Sequence, residues 1–153
     1  MNGVLVVMEQ RAGTWNRMSF EALAAGQQLA AKLGTVCSAA VIGIGDNVTA
    51  LAAELTGKKL AKIIAVQHAL LNHYTADGYT AALEQAIQQA DPAYVLFPHT
   101  YQVRDFAPAL ATRFHSVLIS DAIAIHDGPI FVRQLLQGKL NADYKHTASG
   151  PCF

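Results

Sequence analysis

The chain has 153 residues, and its 11 Lys and Arg balance its 11 Asp and Glu, so the formal net charge is zero. Only 14% of the residues are charged and 52% are hydrophobic, whereas an average soluble domain carries about 25% charged residues. This composition disfavours nucleic acid binding and attachment to anionic membranes, because both require clustered Lys and Arg. The length predicts one domain, over residues 1–153.

The apolar runs are short throughout the chain. None approaches the roughly 18 residues that a membrane-spanning helix needs, so we expect no membrane insertion. Residues 1–9 form a strand-like run without a basic region, which does not fit a signal peptide. Two cysteines, Cys37 and Cys152, are too few for a disulfide framework or a metal site. These features together predict a cytoplasmic protein.

Strand-like and helix-like patterns alternate over the first three quarters of the chain. The β-branched run Gly3–Glu9 predicts a strand, and Ser19–Leu33 predicts a helix with Ser19 as its N-cap and Gly34 just after its end. Apolar strands separated by helices are typical of a parallel sheet covered on both faces, which is a three-layer α/β/α architecture of the Rossmann-like kind. The further predicted strands are Val36–Ile42, Ala61–Val66 and Tyr94–Phe97, and the further predicted helices are Val48–Thr56, Thr75–Ala90 and Val103–Phe114.

The pattern changes after Phe114. Three strand-like stretches follow, at Asp121–His126, Ile130–Leu136 and Leu140–His146, with turn signals between them. They predict antiparallel strands added to the sheet. Residues 149–153 fit a strand or linker that is cut short.

A glycine-rich turn, Gly43-Ile44-Gly45-Asp46, follows the second predicted strand. One interpretation is a tight turn in which Asp46 or Asn47 caps the next helix. The other is a loop whose backbone N–H groups contact a phosphate. A dinucleotide-binding fingerprint would need a third glycine where Val48 stands.

No motif for catalysis or metal binding is present in the sequence. The six histidines are scattered, and a zinc or iron site needs at least three convergent ligands. The sequence also lacks a Gly-x-Ser-x-Gly elbow and a Walker-type phosphate loop. We therefore expect no metal and no enzymatic activity in this chain alone, since no nucleophile–base pair can be named for a small enzyme.

The segment Phe97–Pro108 leads from the carboxyl end of the fourth predicted strand into a helix, and ligands gather at that edge of open α/β sheets. Asp105 fits the N-cap and Pro108 the first turn, which leaves Arg104 in the loop beside the cap. Two interpretations follow. Arg104 pairs with a neighbouring carboxylate beside a capped helix, or the loop contacts a nucleotide or a partner subunit.

Three motifs in this order resemble the alpha subunit of electron transfer flavoproteins: Arg104–Ala111, Ile119–Ile125 and Phe131-Val132-Arg133. In that family a similar helix start is followed by a V/I-S-D strand and an F-V-R-P hairpin, although Gln134 replaces the usual proline here. The opening strand and the helix after Ser19 also resemble the family's beginning. The likeness covers essentially the whole chain.

The resemblance implies the N-terminal domain of that alpha subunit, with an adenine nucleotide alpha hydrolase-like fold, and the family's C-terminal FAD-binding domain is absent from this chain. It implies a scaffold that packs on the beta subunit and supports the FAD domain, which shuttles electrons from acyl-CoA or other dehydrogenases to the respiratory chain or other acceptors. FAD is then expected in the intact protein and not on this chain alone. The alternative is a stand-alone adenine-nucleotide-binding protein of the same fold. Candidate cofactor contacts under the resemblance are Thr100, Arg104, Asp105 and Arg133.

Overall fold

A computed structural model describes residues 2–153; Met1, the first residue of the predicted domain, lies outside the described residues. Strands and helices alternate up to residue 113, and three further strands follow. In chain order the elements are β1 (Val4–Met8), β2 (Gln10–Arg11), β3 (Thr14–Trp15), α1 (Met18–Lys32), β4 (Cys37–Gly43), α2 (Gly45–Glu54), β5 (Lys62–Gln67), α3 (Ala76–Ala90), β6 (Tyr94–Leu96), α4 (Tyr101–Arg113), β7 (Ala122–His126), β8 (Ile130–Leu135) and β9 (Leu140–Lys145).

Four parallel strands form the central sheet, as the apolar runs predict, and their order is β5-β4-β1-β6. Val4 is in register with Cys37 on one side and with Tyr94 on the other. All five residues of β1 are buried. A strand without polar alternation forms here because helices cover both faces of the sheet.

The two faces of the sheet bury alternate residues of each strand. On one face, Val6 and Val41 pack with α1 and α2. On the other, Leu5 and Ala40 pack with α3 and α4. The predicted three-layer α/β/α arrangement is therefore confirmed. None of the helices within residues 2–153 is long and apolar enough to cross a membrane.

The three C-terminal strands are antiparallel, as predicted, in the order β7-β8-β9. They form a sheet of their own, so the expectation that they extend the central sheet is wrong. Phe131 of β8 packs against Tyr94 of the central sheet with ring centroids 6.0 Å apart. Lys32 of α1 forms an ion pair with Asp127 at 2.9 Å. These two contacts hold the small sheet on the helix α1 side of the fold.

Residues 152 and 153 take the place next to β6 in the central sheet. Cys152 forms a parallel bridge with Tyr94, and its carbonyl accepts from the Val95 N–H at 2.8 Å. On the other side of this two-residue segment, the Phe153 carbonyl accepts a hydrogen bond from the Ile119 N–H at 2.8 Å. Short backbone pairing of this kind has no hydropathy signature, because it involves only two residues.

Helix α1 does not begin as the sequence predicts. Its N-cap position is Arg17, whose side chain makes no capping hydrogen bond. Ser19 lies inside the first turn and is buried; its Oγ accepts from the Glu9 N–H at 2.8 Å and donates to the Glu9 carbonyl at 3.1 Å. The prediction that Ser19 caps the helix is wrong because the end of β1 uses this hydroxyl instead.

Candidate functional site

The candidate site is the carboxyl edge of the central sheet, where strand order reverses. The chain runs from β1 outward through β4 to β5, and then places β6 on the opposite side of β1. Crevices beside such a reversal are where ligands bind in open α/β sheets. The segment that follows β6 enters α4 at this edge, so the geometry brings the predicted Phe97–Pro108 segment to the expected place.

Thr100 is the N-cap of α4. It has an extended backbone, with φ −124° and ψ 164°, and its Oγ1 accepts from the Val103 N–H at 3.2 Å. The prediction that Asp105 caps this helix is wrong, because Thr100 starts the helix one turn earlier. Arg104 therefore lies in the helix and not in the loop, and Pro108 lies in the helix interior and not in the first turn.

Asp105 instead ties α4 to the loop before α3. Tyr74 donates its hydroxyl to Asp105 Oδ2 at 2.6 Å and to the Gln102 carbonyl at 3.3 Å. Burial, together with the hydrogen bond to the Asp105 carboxylate, raises the pKa of Tyr74 well above its usual range. The tyrosine thus remains a hydrogen-bond donor at neutral pH and fixes the carboxylate of Asp105.

Glu9 connects both helical layers at this edge. It is not among the site residues predicted from the sequence. Thr100 Oγ1 donates to Glu9 Oε2, and Asn16 Nδ2 donates to Glu9 Oε1 at 2.8 Å. The Glu9 backbone also holds Ser19 of α1. The one available signal was a carboxylate directly after a fully buried strand, at the edge where parallel strands end.

Gln10 fills the neighbouring crevice, between β1 and β4. Its Nε2 donates to the Ile42 carbonyl at 2.8 Å, and its Oε1 accepts from the Gly13 N–H at 3.0 Å. A Cβ placed on Gly43 would lie 2.7 Å from Gln10 Nε2. The glycine at position 43 is thus required for the close approach of Gln10.

Helix α2 begins at this crevice without a side-chain cap. Its N-cap position is Ile44, and the helix begins at Gly45, which has φ +61°. The prediction that Asp46 or Asn47 caps the helix is wrong, because both residues already lie in its first turn. The tight turn itself is present.

Little space remains at the edge around these side chains. The gap among Glu9, Gln10, Gln102 and Phe106 has a volume of about 10 Å³, which is close to the minimum for one water molecule. The crevice around Glu9 and Gln10 is therefore filled by the chain's own side chains.

Three apolar side chains remain exposed beside the filled edge. Ile44 follows β4 and is 37% exposed, Leu70 follows β5 and is 76% exposed, and Tyr101 follows β6 and is 88% exposed. We call these three residues the edge patch. Aromatic side chains such as that of Tyr101 are enriched in protein interfaces.

Arg104 lies beside the edge patch and is exposed. Its guanidinium stacks 5.8 Å from the ring centroid of Tyr101. Within residues 2–153 it forms no ion pair, so the interpretation that it pairs with a neighbouring carboxylate is wrong. Arg104 presents a positive charge to solvent next to an exposed tyrosine.

Arg133 lies away from the other three predicted site residues. It is part of β8, opposite Ala122 and Ala142 of the neighbouring strands. Its guanidinium lies 5.7 Å from the Tyr144 ring, and its Nε is buried without a hydrogen-bond partner among the described residues. The structure thus groups Thr100, Arg104 and Asp105 at the start of α4 and leaves Arg133 in the small sheet.

A cleft of about 690 Å³ separates α1 and α4 from the segment 118–125. Its walls are largely apolar, and Cys152 and Phe153 are among the residues that line it. His99 and Asp121 approach each other across it at 3.8 Å. Apart from these two side chains, the charged residues that line it are Glu21, Lys32 and Arg104.

The cysteines supply no reactive group. Both are free and buried, and burial raises the pKa of Cys37 to about 11 and that of Cys152 to about 12. A thiol is nucleophilic only as the thiolate, so both are inert at neutral pH. Among residues 2–153 no three His, Cys, Asp or Glu side chains converge as metal ligands.

Comparison with known proteins gives a consistent set of relatives. The family model for the electron transfer flavoprotein domain matches residues 4–153. Electron transfer flavoprotein subunit alpha of Bacillus subtilis is 36% identical over 141 residues, which cover 89% of this chain and 42% of the relative. The subunit of the same name from Syntrophomonas wolfei is 33% identical over 142 residues, covering 91% of this chain and 43% of the relative.

A further relative has a different name. The acryloyl-CoA reductase electron transfer subunit beta of Anaerotignum propionicum is 32% identical over 120 residues, covering 77% of this chain and 32% of the relative. In each case the chain spans less than half the length of the relative that it matches.

Proposed function

Because this chain belongs to the electron transfer flavoprotein family, we propose that it is the N-terminal domain of an alpha subunit and acts as a scaffold. In this role it packs on the beta subunit and supports the FAD domain of the intact protein, and it carries out no catalysis of its own. The intact protein carries electrons from dehydrogenases to the respiratory chain or other acceptors, and the flavin supplies the redox chemistry. The name of the A. propionicum relative, an electron transfer subunit of a reductase, supports a partner of the dehydrogenase type.

The observation that carries this proposal is the contrast between the filled crevices beside β1 and the exposed edge patch. Glu9 and Gln10 occupy the crevices on either side of β1, whereas the three side chains of the edge patch are open to solvent. A surface of this kind favours contact with protein over contact with a small molecule. The low charged fraction of 14% is consistent with burial against other subunits, since few charged side chains need to be desolvated.

Among the four predicted cofactor contacts, two are better suited to a partner than the others. The side chains of Thr100 and Asp105 already bond to Glu9 and Tyr74. Arg104 and Arg133 form no ion pair among the described residues. We infer that these two guanidinium groups contact FAD or a carboxylate of a neighbouring subunit, because Arg binds both groups with paired hydrogen bonds. The free thiols fit the reducing cytoplasm, where we place the protein.

Mixing the purified chain with the beta subunit tests the scaffold role. We expect co-elution in size-exclusion chromatography, and we expect the chain alone to be colourless after incubation with FAD and removal of the unbound flavin. Two separate peaks at micromolar concentrations would contradict the proposal. Thermal shifts with AMP and ATP test the alternative, a stand-alone nucleotide-binding protein, since a ligand at 100 times its Kd stabilises by about 2.7 kcal/mol.

Replacing Tyr101 by Ser tests the position of the interface. Tyr101 is 88% exposed, so the substitution leaves the fold intact and changes the melting temperature little. At an interface centre a tyrosine typically contributes 2 kcal/mol or more, so Kd for the beta subunit is expected to rise by about thirtyfold. Isothermal titration calorimetry measures this. Leu136→Ser is the matched control, because Leu136 is 67% exposed in the turn between β8 and β9, away from the edge patch. Equal Kd values for wild type and Tyr101→Ser would place the interface elsewhere.

A further inference from the structure

The carboxylate of Glu9 is bound as a ligand would be. Both of its oxygens accept hydrogen bonds, Oε1 from Asn16 Nδ2 at 2.8 Å and Oε2 from Thr100 Oγ1. The donors come from two different segments, one between β3 and α1 and one at the start of α4. The same Thr100 oxygen caps the first turn of α4. The carboxylate therefore lies next to the positive end of that helix dipole.

The place of this carboxylate in the fold is the crevice between β1 and β6, where strand order reverses. In nucleotide-binding sheets of this architecture, a ligand phosphate lies in such a crevice, near a helix N-terminus. Here the residue directly after β1 supplies the negative charge from within the chain. The gap left beside it is about 10 Å³, which is far too small for a phosphate group.

We propose that Thr100, Asn16 and the first turn of α4 form an oxyanion-binding site, and that Glu9 is its permanent, covalently tethered ligand. The class of free ligand that would replace Glu9 is a small carboxylate or phosphate. This inference rests on the proposed function and deepens it: the crevice between β1 and β6 is closed to a ligand phosphate by the chain's own anion. It rests on contacts within this chain and does not involve the beta subunit.

Chemical rescue tests the proposal. Glu9→Ala removes the tethered carboxylate and leaves a cavity with two donors that have lost their acceptor. Formate carries the same charge and the same two oxygens, so it is the probe. We expect the melting temperature of Glu9→Ala to fall below that of the wild type, and then to rise by roughly 3–6 °C at a formate concentration about ten times its Kd. Sodium chloride at matched ionic strength is the reference for general salt effects.

Two control variants separate specific rescue from other effects. Glu54→Ala removes another carboxylate that accepts a hydrogen bond, from Trp15 Nε1 at 2.7 Å, but at an exposed position; its response to formate and to chloride is expected to be equal. Glu9→Gln keeps the shape of the side chain, so formate has no cavity to enter and no rescue is expected. Adding Thr100→Val to Glu9→Ala removes the Thr100 hydroxyl that donates to the anion, so this double variant is expected to show no stabilisation by formate.

The outcomes are distinct. Formate or phosphate that stabilises Glu9→Ala and none of the controls supports the site, and so does a Glu9→Ala chain that folds only in formate. A Glu9→Ala chain that responds to formate no more than to chloride, or that stays unfolded in both, overturns the proposal. AMP that stabilises the wild type at this edge also overturns it. The scaffold role is tested separately, by co-elution with the beta subunit. A negative formate experiment therefore overturns the oxyanion site without deciding the scaffold role.

Discussion

Replacing Phe106 by Ala is expected to lower the free energy of unfolding by about 3–5 kcal/mol, the range for truncating a buried phenylalanine. Phe106 is only 2% exposed. Its ring lies 5.8 Å from that of Phe97 and 6.1 Å from that of Tyr79, so it joins α4 to the end of β6 and to α3. The loss combines the removed apolar area with the cavity that a rigid sheet cannot close.

Thermal and urea unfolding measure this effect. For a chain of this length, a loss of 3–5 kcal/mol corresponds to a fall in melting temperature of roughly 6–20 °C. Tyr101→Ala is the matched control on the same helix, because Tyr101 is 88% exposed and its truncation is expected to change stability by about 0.5 kcal/mol or less. Similar losses for the two variants would mean that α4 does not pack on the sheet through Phe106.

Replacing Gly26 by Ala is expected to destabilise the protein by about 1–3 kcal/mol, even though alanine is the better helix former by about 1 kcal/mol. Gly26 lies where α1 crosses the central sheet. A Cβ at this position would lie 2.3 Å from Cγ2 of Val6, and 3.6 Å from Sγ of Cys37. Val6 is 0% exposed, and a β-branched side chain has little rotamer freedom, so we expect the helix to move away from the sheet.

A double substitution distinguishes this contact from a change in helix propensity. Val6→Ala removes the methyl group that the new Cβ would meet. The loss in free energy of unfolding of the double variant is therefore expected to be smaller than the sum of the two single losses by about 0.5–3 kcal/mol. Gly57→Ala is the control, because a Cβ there meets no atom within 4 Å. Additive losses in urea unfolding would rule out close packing of α1 on β1 as the cause.

The sequence was informative about the site's location and much less about its chemistry. The alternation of apolar runs and helical patterns places Thr100, Arg104 and Asp105 at the carboxyl edge of the sheet, and they are found there. The predicted role of Asp105 as the N-cap was wrong, because Thr and Asp both suit that position and the helix begins at Thr100. Asp105 instead accepts a hydrogen bond from Tyr74, which is distant in the sequence. Glu9 was missed because a single carboxylate after a strand has no pattern of its own.

By itself, the sequence determined the layers of this protein: four parallel strands, helices on both faces and three antiparallel strands at the end. Hydrophobic periodicity is a local property, and burial of one face of each element leaves few ways to combine them. The tertiary structure alone decided how the edge is filled. Glu9 and Thr100 are 91 positions apart, and Gln10 and Ile42 are 32 apart. Such hydrogen bonds depend on distances between polar groups that are set only when the strands have paired, and no periodicity along the chain encodes them.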